Sequence, residues 1–487
     1  MDFSNFLYLG QELGLVVLFV FLFLYDAFGS KKGRKYFQGI AVTLFALLTA
    51  YGFVEMFYPL FGGSGTVKAF GGMFTRSTLT IFMKNILNVT TLMVFLQANG
   101  WLKSHETAVR QGEFYTITLV TLLGMYLMIS ANNFMLLYIG METASLPLAC
   151  LCAYNKSREK SAEAGVKYVF ISALSSGIML FGLSFLYGVL GSFYYTDMAS
   201  TLVATGFNGL IITGFVFFFA GLGFKLSLVP FHLWTADVYE GAPTSVTAYL
   251  SVASKGAAAF ALIFALYQVF APLQGVWTTI IWWLTVITIT LGNLFAVRQK
   301  DIKRFFAFSS ISQAGYIMLG IIAGTPQGMM ATVFFVLVYL FSNMAAFGVI
   351  SAVENQNGGD TRIAAFNGLY KSNPKLALVM MFAVFSLGGI PIWAGFFSKF
   401  FIFMAAAEQG QYVLVFIALL NTVISLFYYL LIIKAMFILE PEAEAVPRFK
   451  NNRYNNVSLV FCVVGLFVIG FISCIYTYIG GLSFGLL

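Results

Sequence analysis

About fourteen times along this chain, some twenty apolar residues run together with few charges between them. That pattern constrains the fold more than anything else in the sequence. A bilayer's hydrocarbon core is about 30 Å thick and takes about twenty helical residues to cross. The runs fall near 12–28, 37–61, 78–97, 114–130, 133–153, 164–190, 209–234, 243–270, 276–297, 305–323, 328–352, 375–407, 413–439 and 457–478. Only 9% of the 487 residues are charged, against about 25% in a soluble domain. Too few polar side chains exist to cover such a chain in water. The expectation is an all-α polytopic membrane protein of about fourteen transmembrane helices. The first run is preceded by acidic residues rather than a basic segment, so it reads as a first span and not as a cleavable leader.

A net charge of +8 invites a nucleic-acid reading, but the charges are laid out by loop. Odd-numbered connections hold Lys31, Lys32, Arg34 and Lys35; Lys103 and Arg110; Lys156, Arg158, Lys160 and Lys167; Arg298, Lys300, Lys303 and Arg304; Arg362, Lys371 and Lys375; and Arg448, Lys450 and Arg453. Even-numbered connections hold only Lys68 and Arg76. Basic loops stay cytoplasmic, so both termini are expected on the outer face and no nucleic-acid partner is called for. Four cysteines (Cys150, Cys152, Cys462, Cys474) and two histidines (His105, His232) are too few for a haem or iron–sulfur centre. Cys150-x-Cys152 lacks a second pair and reads as helix packing.

Five lysines lie inside apolar runs: Lys84, Lys225, Lys255, Lys399 and Lys434. One acid, Glu142, is expected to join them. An ionisable group at mid-membrane costs roughly 2.5–3.5 kcal/mol on insertion scales, so such residues mark function. Glu142 stands among the small residues Gly140, Ala144 and Ser145, which permit close helix approach. Lys225 is its candidate partner. Burial favours the neutral amine and a nearby carboxylate the charged one, so the pair can switch protonation, as a proton relay requires. A static buried ion pair is the structural alternative. Lys255 is flanked by small residues that leave room for water. Lys399 is expected toward the outer side. Lys84 and Lys434 lie near span ends, where a lysine snorkels to the interface. His232 follows Lys225 on the cytoplasmic side and could feed protons inward; a packed histidine is the equal alternative.

Two runs are interrupted. The stretch 375–407 exceeds a single crossing and contains Ser386-Leu-Gly-Gly-Ile-Pro-Ile-Trp-Ala-Gly395. In the seventh run, Ala220-Gly-Leu-Gly223 precedes Lys225 and Pro230 follows it. Breaks are expected near 386–396 and 220–230. Their separation by five spans suggests two five-helix units of opposite topology, spans 4–8 and 9–13. The division is then 1–113 for spans 1–3, 114–272 and 273–440 for the two repeats, and 441–487 for the last loop and span.

Three long motifs carry a resemblance. They are Phe224-Lys-Leu-Ser-Leu-Val-Pro-Phe-His-Leu-Trp-Thr-Ala-Asp-Val-Tyr-Glu-Gly-Ala-Pro-Thr-Ser-Val-Thr-Ala248, Arg298-Gln-Lys-Asp-Ile-Lys-Arg-Phe-Phe-Ala-Phe-Ser-Ser-Ile-Ser-Gln-Ala-Gly-Tyr316, and Gly388-Gly-Ile-Pro-Ile-Trp-Ala-Gly-Phe-Phe-Ser-Lys399. The chain resembles the antiporter-like N-type subunits of bacterial proton-pumping NADH:quinone oxidoreductase, respiratory complex I, most firmly over 115–435. The resemblance implies fourteen helices, two inverted repeats and a proton path in the membrane plane. Glu142, Lys225, Lys255 and Lys399 match the glutamate of helix 5 and the lysines of helices 7, 8 and 12. The M-type subunit carries a glutamate at that last position, and the L-type is longer with a lateral helix. Ile392-Trp393 after Pro391 departs from the expected second proline or small residue, but touches no ionisable position. The same resemblance places NADH, FMN, iron–sulfur clusters and quinone on other subunits, with none bound here. It implies an M-type neighbour, small K- and J-type neighbours, and the bacterial inner membrane. A subunit of a multisubunit cation/proton antiporter is the alternative; the residues around His232 and Trp234 and the loop Arg298–Arg304 favour complex I. A sealing scaffold would not need four ionisable residues at mid-membrane.

Overall fold

The computed structural model describes residues 3–29, 36–58, 65–103, 110–206, 208–440, 448–472 and 474–483. Lys31, Lys32, Arg34, Lys35 and His105 lie outside these. Among the described residues, thirteen helices are long and apolar enough to cross a membrane. In hydrocarbon every backbone group must be satisfied within the segment, which leaves helices as the solution for such runs. Spans 1–6 are Gly10–Phe28, Phe37–Phe57, Thr78–Leu102, Gln111–Ser130, Phe134–Cys152 and Glu159–Leu190. Span 8 is Thr244–Val269, spans 9–11 are Ala271–Ala296, Ile302–Ile322 and Pro326–Glu354, and spans 13 and 14 are Tyr412–Phe437 and Arg453–Phe471. Polar caps set several starts: Ser77 accepts from Thr80 N, Asn133 from Met135 N, and Asp301 from Lys303 N and Arg304 N.

Spans 7 and 12 are each in two pieces, Gly209–Leu226 with Leu233–Gly241, and Pro374–Gly388 with Ala394–Glu408. The second break matches the sequence expectation. The first opens at Ser227 (φ 62°), inside the expected stretch 220–230. Gly221 and Gly223 stay helical because they serve packing: a Cβ on either would stand 2.6 Å from Met179 or 3.0 Å from Phe231.

Span 8 is wholly enclosed and spans 3, 10 and 11 nearly so, whereas spans 1, 6 and 13 show most of their surface. Phe170, Leu174 and Val423 on those outer spans are exposed, which suits lipid as solvent. Spans 4 and 5 pack closely through Gly124 and Gly140, where a Cβ on Gly124 would stand 2.3 Å from Ala144 N. Spans 9 and 10 pair in the same way, and spans 6 and 11 each pack on the first half of an interrupted helix.

Three elements were not foreseen. A short hairpin pairs Val67–Ala69 with Phe74–Arg76, and a ten-residue helix, Cys474–Ser483, follows span 14. Helix Tyr195–Thr205 lies between spans 6 and 7 and buries only Tyr195, Met198 and Leu202. That three- and four-residue spacing makes one apolar stripe, too narrow to register as a span. Lys434 is exposed near the end of span 13, as expected of a snorkelling lysine. Lys84 is not: it is 2% exposed and paired with Glu12.

Candidate functional site

Lys225 sits in the last turn of the first half of span 7, two residues before the left-handed Ser227 that closes that half. It is 3% exposed. Its Nζ donates to Tyr168 Oη on span 6 at 2.9 Å, and it lies over the rings of Tyr168 and Phe224 at 5.3 and 5.8 Å. Glu142 makes no direct ion pair with Lys225 among the described residues. It stands at the edge of span 5's buried stripe, half-buried, with Oε1 enclosed and unpartnered. His232 lies in the break itself, half-buried, with Nδ1 enclosed and unpartnered.

Lys255 lies in the middle of span 8, directly after a π-helical turn over Leu250–Ser254. Such turns widen a helix locally and recur at functional sites. Its Nζ donates to Ser310 Oγ on span 10 at 2.8 Å, and the Tyr239 ring lies 5.7 Å away. Lys399 follows the break in span 12. Its Nζ donates at 2.9 Å to the Leu387 carbonyl, at the end of the first half of the same span, with the Tyr316 ring at 4.8 Å. A helix C-terminus carries partial negative charge, so this is a natural seat for an ammonium. Gln313 donates to the same carbonyl at 3.3 Å.

On the basic face, a polar cavity of about 540 Å³ is lined by Trp101, Asn155, Arg158, Thr244, Ser245 and Glu354. Glu354 binds Arg158 at 3.4 Å and accepts from Thr244, while Ser245 Oγ is buried and unpartnered. Beside it, Asp237 and Glu240 on the second half of span 7 meet Lys160, Lys167 and Arg304 at 2.6–3.1 Å, tying that half to spans 6 and 10.

Glu142 was expected to be the only acid within the spans. Two more are buried. Lys84 Nζ meets Glu12 Oε1 at 2.5 Å, and Arg76 Nη2 meets Glu55 Oε1 at 2.9 Å. Glu12 had been placed at the edge of a span and Glu55 within an apolar run without remark; only packing of spans 1–3 together brings them inside. Tyr168 and Ser310 were also missed. The run Ser309-Ser310-Ile311-Ser312-Gln313, polar at membrane depth, was the available signal for Ser310. Among the described residues no group of three His, Cys, Asp or Glu side chains is placed to hold a metal ion. Cys150 is exposed and Cys152 buried, on different sides of their helix.

An interrupted-helix bundle with buried lysines at its breaks defines an antiporter-like membrane subunit. Residues 131–425 match the NADH:quinone oxidoreductase/Mrp antiporter transmembrane family. The NADH-quinone oxidoreductase subunit N of Azobacteroides pseudotrichonymphae genomovar. CFP2 is 67% identical over 487 residues, all of both chains. The subunit N of Phocaeicola vulgatus is 50% identical over 98% of each chain. In respiratory complex I from Thermus thermophilus, one chain is 30% identical with a TM-score of 0.78, covering 94% of this chain and 96% of that one. A chain of the Mrp complex from Dietzia sp. DQ12-45-1b shares the fold, with a TM-score of 0.85 at 20% identity over 99% of this chain and 97% of that one. The chain belongs to the NADH-quinone oxidoreductase subunit N family and is an antiporter-like, multi-pass subunit of the complex I membrane arm.

Proposed function

We propose that this subunit carries protons along Glu142, Lys225, Lys255 and Lys399, with His232 serving the cytoplasmic side, coupled to quinone reduction elsewhere in the complex. One observation carries the reading. Lys225, Lys255 and Lys399 are each almost fully enclosed, and each amine is held by a neutral oxygen rather than a carboxylate. A buried lysine on a neutral acceptor can give up its proton without stranding an unpaired acid. The offset Glu142 supplies a charge that biases Lys225 without locking it.

In this reading NADH, FMN, the iron–sulfur clusters and quinone sit on other subunits. The chain abuts an M-type antiporter-like subunit and the small K- and J-type subunits in the plasma membrane, with both termini periplasmic. Residues 114–272 and 273–440 form the two inverted repeats, between 1–113 and 441–487. The matching helix pairings of spans 4–7 and 9–12 support that division.

The test is Lys225→Met, which keeps the aliphatic volume and removes the titrating group, beside Lys225→Arg, which keeps the charge but cannot release its proton in this range. Both should cut quinone-linked NADH oxidation and membrane-potential formation in sealed vesicles by at least about tenfold, each tenfold being about 1.4 kcal/mol of barrier, with the complex assembled. Full activity in both assembled variants rejects Lys225 as a proton carrier.

A further inference from the structure

Lys255 and Lys399 lie on different spans and do not touch. Between them stand spans 10 and 11. Span 10 offers Ser310, which accepts from Lys255, and one turn further Gln313, which shares the Leu387 carbonyl with Lys399. Span 11 offers Tyr339, 5% exposed, its ring stacked on Phe335 at 6.3 Å. The Tyr339 hydroxyl is enclosed beside Ser310 and Asn343, whose Nδ2 is enclosed as well. On its other side Tyr339 lines a cavity of about 10 Å³ shared with Gln313, Ser342, Ser386, Leu387 and Lys399. That is close to the room one water needs, and the polar lining offers it the two to four partners such a water requires.

The geometry points to Tyr339 as the relay between Lys255 and Lys399, its hydroxyl reaching Ser310 on one side and a single water in the Lys399 cavity on the other. This rests on the proton-carrying role of the two lysines. The transfer balances atom by atom. Lys255 gives a proton to Ser310 Oγ as the serine's own proton swings from the Ala307 carbonyl, which it meets at 2.8 Å, to Tyr339. Tyr339 passes its proton to the water, and the water protonates neutral Lys399. Each oxygen gains one proton and loses one, so only the two lysines change charge.

Tyr339→Phe keeps the ring and its stacking and removes only the hydroxyl. In vesicles containing the whole complex, potential formation and coupled NADH oxidation should fall by about a hundredfold or more, the low end of what one positioned proton-transfer group contributes. The solvent deuterium isotope effect on coupled oxidation should rise, because a proton hop becomes the slow step. A structural role would lower the rate per assembled complex without raising the isotope effect, and that result overturns the relay. Lys399→Met is measured alongside. If it blocks pumping while assembled Tyr339→Phe keeps the wild-type rate and isotope effect, the relay alone is rejected. If both are silent, the proton-carrying reading fails and the relay with it. Should Tyr339→Phe not assemble, Ser310→Ala breaks the same link from the other side and decides by the same two readouts.

Discussion

Spans 1–3 and the antiporter-like region both bury cations, and they treat them differently. In the first, Lys84 and Arg76 each rest on a carboxylate, at 2.5 and 2.9 Å, with all four side chains enclosed. In the second, Lys225, Lys255 and Lys399 rest on a phenol, a hydroxyl and a carbonyl. A carboxylate holds its cation charged, since deprotonating the amine would leave the acid alone in a medium that solvates it poorly. A neutral oxygen imposes no such lock. Burial alone therefore does not separate the two groups of lysines; the kind of partner does.

The strongest challenge to this contrast is Lys84→Met. Removing one member of a buried pair costs about 3–5 kcal/mol, so the variant should lose most of its assembled subunit on native gels. Glu12→Gln together with Lys84→Met should recover assembly and keep pumping. A double variant that assembles but cannot pump would put the N-terminal pair in the proton path and end the distinction. A finer probe is Glu142→Gln. It leaves the Lys225–Tyr168 contact in place and removes only the biasing charge. Potential formation should fall by about fivefold, the low end of usual coupling between sites, and by less than in Lys225→Met; an equal loss would make Glu142 a direct proton partner. The smallest effect is expected from Tyr168→Phe. One hydrogen bond is worth about 1 kcal/mol net, so the pumping rate should change by less than about fivefold, with assembly unaltered. A complete block there would mean that the phenol itself passes the proton.

Span number, the position of the second break and the buried lysines at 225, 255 and 399 could all be read from the chain, because hydropathy and charge in hydrocarbon are local properties with large penalties. Pairing could not. Lys84 looked like an interfacial lysine because it lies near the end of its span, and the partner that keeps it inside lies 72 positions away. Glu142 and Lys225 looked like partners in direct or one-water reach because both are ionisable and deep; among the described residues they make no direct ion pair. The angle of Glu142 around span 5, which sets it at the edge of the buried stripe, depends on how spans 4, 5 and 6 pack. The first break falls inside its expected stretch, but at Ser227 rather than at Gly221 or Gly223, which are contact surfaces.

The acceptor that holds Lys399 belongs to the main chain. No codon at position 387 can delete the Leu387 carbonyl, so a scan of side chains along span 12 would pass over half of this contact. What mutation can reach is the shape that aims it. Gly389 adopts φ 78°, and a Cβ there would stand 3.1 Å from Lys399 Cδ. A Cβ on Gly395 would fall 1.8 Å from the Ser386 carbonyl oxygen. The inheritance of this binding group is therefore written at neighbouring glycines, as a requirement for nothing to be there.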